Sequence, residues 1–143
     1  MTKLTLTQAR TIISSAFEEA SRLGLKPLAV VVLDDGGHAT AFERQDGASA
    51  MRFKIAHGKA YGAIAMGLGS RALFKRAQEQ PYFISAMNAL ADGALVPVPG
   101  GVLVRDGNGN LLGAVGVTGD NSDNDEKCAL AGIAAAGLVA DPG

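Results

Sequence analysis

Residues Pro99 to Ile133, PGGVLVRDGNGNLLGAVGVTGDNSDNDEKCALAGI, leave the chain few ways to fold. Two apolar runs flank Arg105-Asp106-Gly107-Asn108-Gly109-Asn110. The Asp-Gly and Asn-Gly pairs supply the positive-φ positions of a tight hairpin. The spacing therefore predicts paired strands over Val102–Arg105 and Asn110–Thr118. Gly113 and Gly116 fall inside the second strand. Glycine there marks a bulge or a close approach of another group, so Gly113→Val and Gly116→Val are each expected to damage the fold or empty the pocket. Asn121, Ser122 or Asp123 can then cap a helix over Asn124–Val139, with acids in its first turn.

The remaining segments repeat this logic. Leu6, Ala9, Ile12, Ile13, Ala16, Phe17 and Ala20 recur at helical spacing, which predicts a helix over Thr5–Gly24. Thr5 or Thr7 can cap it, and Gly24 suits the position just past its end. Leu28–Leu33 is a continuous apolar run, as in a strand covered on both faces. The Asp34-Asp35-Gly36-Gly37 turn leads to a second strand over His38–Arg44. A long helix is expected over Ala48–Gly67, and a short one over Ser70–Gln78 capped by Ser70. Tyr82–Leu90 reads as a short helical or irregular piece, and Pro97 and Pro99 leave Ala94–Val98 a short or irregular strand. Asp141-Pro142-Gly143 reads as a frayed end. The order is an α/β layered one, with a mainly antiparallel sheet carrying helices.

Composition bounds the function. The chain has 143 residues, 48% hydrophobic and 19% charged, which fits one globular domain over residues 1–143. A net charge of −1 favours neither nucleic acid nor an anionic membrane as partner. No apolar stretch approaches the ~18 residues of a spanning helix. The one cysteine, Cys128, and the lack of a secretory leader point to a reducing, cytoplasmic setting. Cys128 itself reads as a buried structural thiol inside the last helix.

Few residues carry obvious chemistry. His38 follows the glycine turn and suits a haem ligand or a general acid/base, or simply a turn histidine. His57 shares a helix face with Tyr61, four residues on. Two isolated histidines make no zinc signature. Lys59 sits among small residues, where it either meets a ligand carboxylate or pairs with an internal acid. Arg44 can clamp a propionate or carboxylate, or pair locally with Asp46 or Glu43. Gly100-Gly101 offers successive backbone amides for an anion nest, or a plain loop. Gly58 and Gly62 on the long helix predict a close approach by the sheet or by another subunit. P-loop and Gly-x-Ser-x-Gly motifs are absent.

Four segments carry a family resemblance: LTLTQARTIISSAFEEASRLG, VVVLDDGGHATAFERQDGA, KIAHGKAYGAIAMG and the Pro99–Ile133 stretch. Together they resemble the GlcG/HbpS-like haem-degrading or haem-binding family, which includes the C-terminal domain of some PduO-type corrinoid adenosyltransferases. The region from Arg71 to Asp92 is less diagnostic. The resemblance implies a profilin-like α-β-α fold, with a mostly antiparallel five-stranded sheet and helices on both faces. It also implies a homo-oligomer and a small-molecule ligand, haem or a related tetrapyrrole among the candidates. His38, in the GGH turn, and Lys59, in the GKAY segment, are the positions that match family motifs. An enzyme acting on a small oxygenated catabolite, an isomerase, lyase or hydratase with Lys59 and His38 as acid/base groups, is the alternative. A non-catalytic accessory subunit is the third reading. If a pocket joins His38, Lys59 and Gly100-Gly101, Lys59→Met is expected to weaken ligand binding while costing little stability.

Overall fold

Thr5 begins the first helix as its sequence requires. Its hydroxyl accepts from the Gln8 amide at 3.1 Å, and the Gln8 side chain accepts from the Thr5 amide at 3.0 Å. Helix α1 (Leu6–Leu23) follows and ends at Gly24, whose φ of 68° is left-handed. The computed structural model describes residues 3–143. After α1 come strands β1 (Ala29–Asp34) and β2 (Ala39–Arg44), then helices α2 (Arg52–Met66), α3 (Ser70–Glu79) and α4 (Pro81–Leu90). Strands β3 (Gly101–Arg105) and β4 (Leu111–Thr118), helix α5 (Ser122–Ala135) and strand β5 (Val139–Asp141) complete the order.

The strands form one five-stranded antiparallel sheet in the order β2-β1-β4-β3-β5. Side-chain alternation divides its residues between two cores. Val30, Val32, Val102, Val104, Val115 and Val117 pack with Ile12 and Ile13 of α1 and with Cys128 and Ile133 of α5. Val31, Leu33, Leu103 and Ala114 pack with Ala56, Ala60 and Ala63 of α2. The apolar run of β1 is thus buried on both faces, and the α/β layered arrangement holds.

The α2 side is made of small residues because the helix backbone lies against the sheet. A Cβ on Gly116 would strike the Ala56 carbonyl oxygen, and one on Gly101 the Lys59 carbonyl oxygen. The outer small residues of α2 are covered by the same chain. A Cβ on Gly62 would come within 3.2 Å of Leu95, and Val96 donates its amide to the Gly58 carbonyl at 3.1 Å. The close approach at Gly58 and Gly62 is therefore intramolecular, and another subunit is not needed to explain it.

Several expected elements differ. The long helix starts at Arg52 rather than Ala48. Tyr82–Leu90 is fully helical, with Pro81 at the first helical position. Ala94–Val98 forms no strand and crosses over α2 as irregular chain. The last helix stops at Ala135 because Gly137 turns the chain with a φ of 75°. Val139–Asp141 is not frayed: it pairs with β3, Val104 opposite Ala140, and Arg105 holds Asp141 at 3.0 Å. Ser70 does not cap α3. Its hydroxyl is buried and accepts from the Gly101 amide at 2.7 Å.

Candidate functional site

Lys59 and the Gly100-Gly101 loop do come together, and they do so inside the protein. A Cβ on Gly100 would lie 3.0 Å from Lys59 Nζ, and the residue holds a φ of 120° that favours glycine. Lys59 is 2% exposed. Its ammonium donates to the Val117 carbonyl at 2.9 Å and to Asp125 Oδ2 at 3.2 Å. Asp125 Oδ1 accepts from the Asp120 amide at 2.9 Å. Burial pushes the Lys59 pKa down and the Asp125 pKa up, and their mutual attraction opposes both shifts. Of the two readings of Lys59, pairing with an internal acid is the one realised. Of the two loop amides, that of Gly101 is spent on the Ser70 hydroxyl, and Gly100 is fixed through its carbonyl, which accepts from the Val117 amide.

His38 lies apart from this junction, in solvent, with its side chain 82% exposed. Asp34 folds the turn around itself, its Oδ1 accepting from the amides of His38 at 2.9 Å and Gly36 at 3.0 Å. These bonds, the His38 amide foremost, hold the Asp34 carboxyl below its usual pKa. The same oxygen is 3.2 Å from His38 Nδ1, which leaves Nε2 without a protein partner among the described residues. A carboxylate on one imidazole nitrogen fixes the tautomer that offers the other as a ligand.

Arg44, at the other end of β2, donates to the Ala48 carbonyl at 2.6 Å. It lines an open groove of about 610 Å³ between α1 and β2, with Phe17, Ser21, Leu25, Glu43 and Asp46. Arg44 and His38 are separated by the length of the strand, about 20 Å, too far apart to hold one small ligand.

The exposed side of α2 holds the arrangement that sequence reading saw only in part. Phe53, His57 and Tyr61 follow one another at helical spacing. The His57 ring lies 5.5 Å from that of Tyr61 at 16°, and 6.1 Å from that of Phe53 at 28°. Phe42 of β2 meets Phe53 edge-on at 4.7 Å. The turn before His38 closes the far end, for a Cβ on Gly37 would lie 3.0 Å from the Tyr61 ring. A cavity of about 240 Å³ opens beside His57, lined by Phe53, Lys54, Asp92, Gly93 and Ala94. Asp92 takes a left-handed φ of 54° there, a conformation aspartate tolerates. Phe53 could have been found from its spacing to His57 and Tyr61, whereas Phe42 and Asp92 carry no sequence signal for this place. Among the described residues, no three His, Cys, Asp or Glu side chains are grouped to hold a metal ion.

Comparison with known proteins gives the family and the fold. A family model described as haem degrading protein HbpS-like matches residues 4–134. No curated protein matches the chain. The crystal structure of a PduOC:heme complex is 25% identical, with a TM-score of 0.86, and the match covers 96% of this chain and 98% of that one. A double mutant of HbpS from Streptomyces reticuli is 30% identical with a TM-score of 0.79, over 94% of this chain and 87% of that one. The Klebsiella pneumoniae protein ORFY has a TM-score of 0.84 at 21% identity, over 96% and 93%, a likeness of fold alone.

Proposed function

The chain belongs to the HbpS-like haem-degrading family, and from that premise we propose that it binds haem or a closely related tetrapyrrole on the exposed face of α2. One observation carries this reading: an imidazole stands between two aromatic rings in a near-parallel row. Aromatic edges are electropositive and favour the face of a π system. A macrocycle laid across the row would rest on the edges of Phe53 and Tyr61, and His57 would supply the nitrogen that holds the iron. Lys54, in the same cavity, would meet a propionate. His38, with Nδ1 already engaged by Asp34, is the second nitrogen available.

Titration with haemin tests this. A saturable Soret shift with one haem per chain is expected. His57→Ala should weaken binding by about tenfold or more, a loss of about 1.4 kcal/mol, and change the ligand-field bands. If His57→Ala binds like the parent and His38→Ala does not, the iron belongs at the turn and this assignment falls. No Soret shift at all would refute haem binding.

The same reading includes a homo-oligomer and a cytoplasmic setting. Helix α4 supports the first: it has no charged residue, and Tyr82 and Leu90 are 71% and 78% exposed. Cys128, free and buried, fits a reducing compartment. Light scattering that gives a mass near 14.5 kDa would rule the oligomer out. No described helix is long and apolar enough to cross a membrane.

A further inference from the structure

Arg10, Arg44, Arg52 and Arg76 form no ion pair among the described residues, and of these only Arg52 is bound to a buried hydroxyl. Arg22, Arg71 and Arg105 each meet a carboxylate within 3.0 Å. Arg52, half-buried at the start of α2, meets none among the described residues. Its Nη1 donates to Thr118 Oγ1 at 2.9 Å, and this bond to a buried hydroxyl sets the plane of the guanidinium. The Nε and Nη2 donors have no protein acceptor among the described residues. They belong to a side chain that lines a cavity of about 220 Å³, together with Lys26, Gly47, Ala48, Ser49 and Gly119.

The lining of this cavity carries two cations and no acid. Lys26 also lacks an ion-pair partner among the described residues. Asp120 spends its oxygens on the Lys26 and Asn121 amides and on Asn124 Nδ2, with Lys26 near enough to feel its charge, and Asp125 holds Lys59. Arg52 is close enough to Lys59 for its charge to disfavour that ammonium. A partly buried cation without an ion-pair partner is costly, and a planar fork with two free donors matches a carboxylate bidentately, as it does a phosphate.

We propose that this cavity is a binding site for the carboxylate of a small molecule, held by the Arg52 guanidinium with Lys26 as the second cation. Its volume is below the ~300–1,000 Å³ of sites for drug-sized ligands, so a ligand held inside it is small. No residue is shared between the lining of this cavity and that of the cavity beside His57, so the site stands independently of haem binding.

The probe is sodium malonate, compared with sodium chloride at equal ionic strength and with inorganic phosphate. Binding is read from amide chemical shifts and from the thermal midpoint of the full chain. Saturable malonate shifts centred on Ser49 and Gly119 are expected. Arg52→Gln should weaken malonate by more than about tenfold, as for a charged hydrogen bond lost. Lys26→Gln, at an exposed position that folding does not need, should weaken it by about fivefold, as for an exposed ion pair. His57→Ala should leave it unchanged. If Arg52→Gln does not fold, Lys26→Gln decides. The proposal is overturned if malonate acts no differently from chloride, if Lys26→Gln binds like the parent, or if phosphate saturates the site and malonate does not.

Discussion

Lys59 Nζ stands 3.2 Å from Asp125 Oδ2, and the two side chains are 2% and 1% exposed. The pair ties α2 to the start of α5 under the β4 end, and it changes what Lys59→Met should do. Methionine keeps the volume of the stem but strands a carboxylate in the core. The loss should be about 3–5 kcal/mol, not the small cost expected from volume alone. Urea denaturation gives the number, and a loss below ~1 kcal/mol would show that the pair behaves as if solvated. Adding Asp125→Asn to Lys59→Met should recover part of the loss, because the stranded charge is then gone.

Gly116→Ala should destabilise far more than Gly107→Ala. A Cβ at Gly116 would strike the Ala56 carbonyl, whereas one at Gly107 meets nothing within 4 Å. Pushing α2 off the sheet should cost about 1–3 kcal/mol or more, and Gly116→Val should cost more again. Equal denaturation midpoints for the two alanine variants would contradict the close packing of α2 on β4.

Cys128 should be inert in the native protein. Burial, with the negative charges of Asp125, Glu19 and Asp120 adding to it, pushes its thiol up to about 12. At pH 8 only about one thiol in ten thousand is then ionised, and the thiolate is the reactive form. A dithionitrobenzoate assay should find no reaction until guanidinium unfolds the chain, then one thiol per chain. Rapid reaction of the folded protein would place Cys128 at the surface.

Acid should destabilise the fold partly through Asp120. Asn124 Nδ2 and the amides of Asn121 and Lys26 hold its carboxyl from the usual 3.8 down to about 2. The unfolded chain therefore takes up a proton there before the folded one does. Its contribution is present above 3.8 and is lost as pH falls through about 2. Asp120→Asn should have a thermal midpoint that falls less steeply over that interval. An unchanged slope would remove Asp120 from the acid transition.

What the sequence determined by itself is local. The Thr5 cap, the end of α1 at Gly24, the Asp106–Gly109 turn and the two-faced burial of β1 follow from turn chemistry and periodicity, which act over a few neighbouring residues. His57 and Tyr61 were legible as a pair for the same reason, since four residues on a helix share a face. The tertiary structure decided what lies between distant segments. Lys59 and Asp125 are 66 residues apart in sequence, and nothing in either neighbourhood marks the other as its partner. Ser70 reads as a cap until the Gly101 amide arrives from 31 residues away to claim its hydroxyl. Val139–Asp141 has no strand pattern of its own and becomes β5 only because β3 offers it an unpaired edge. Phe42 joins the α2 row, and Arg52 is left without an ion-pair partner among the described residues, through the same cause. Spacing along the chain fixes which residues share a face, but only the packing of faces fixes which charges, rings and backbone donors find partners.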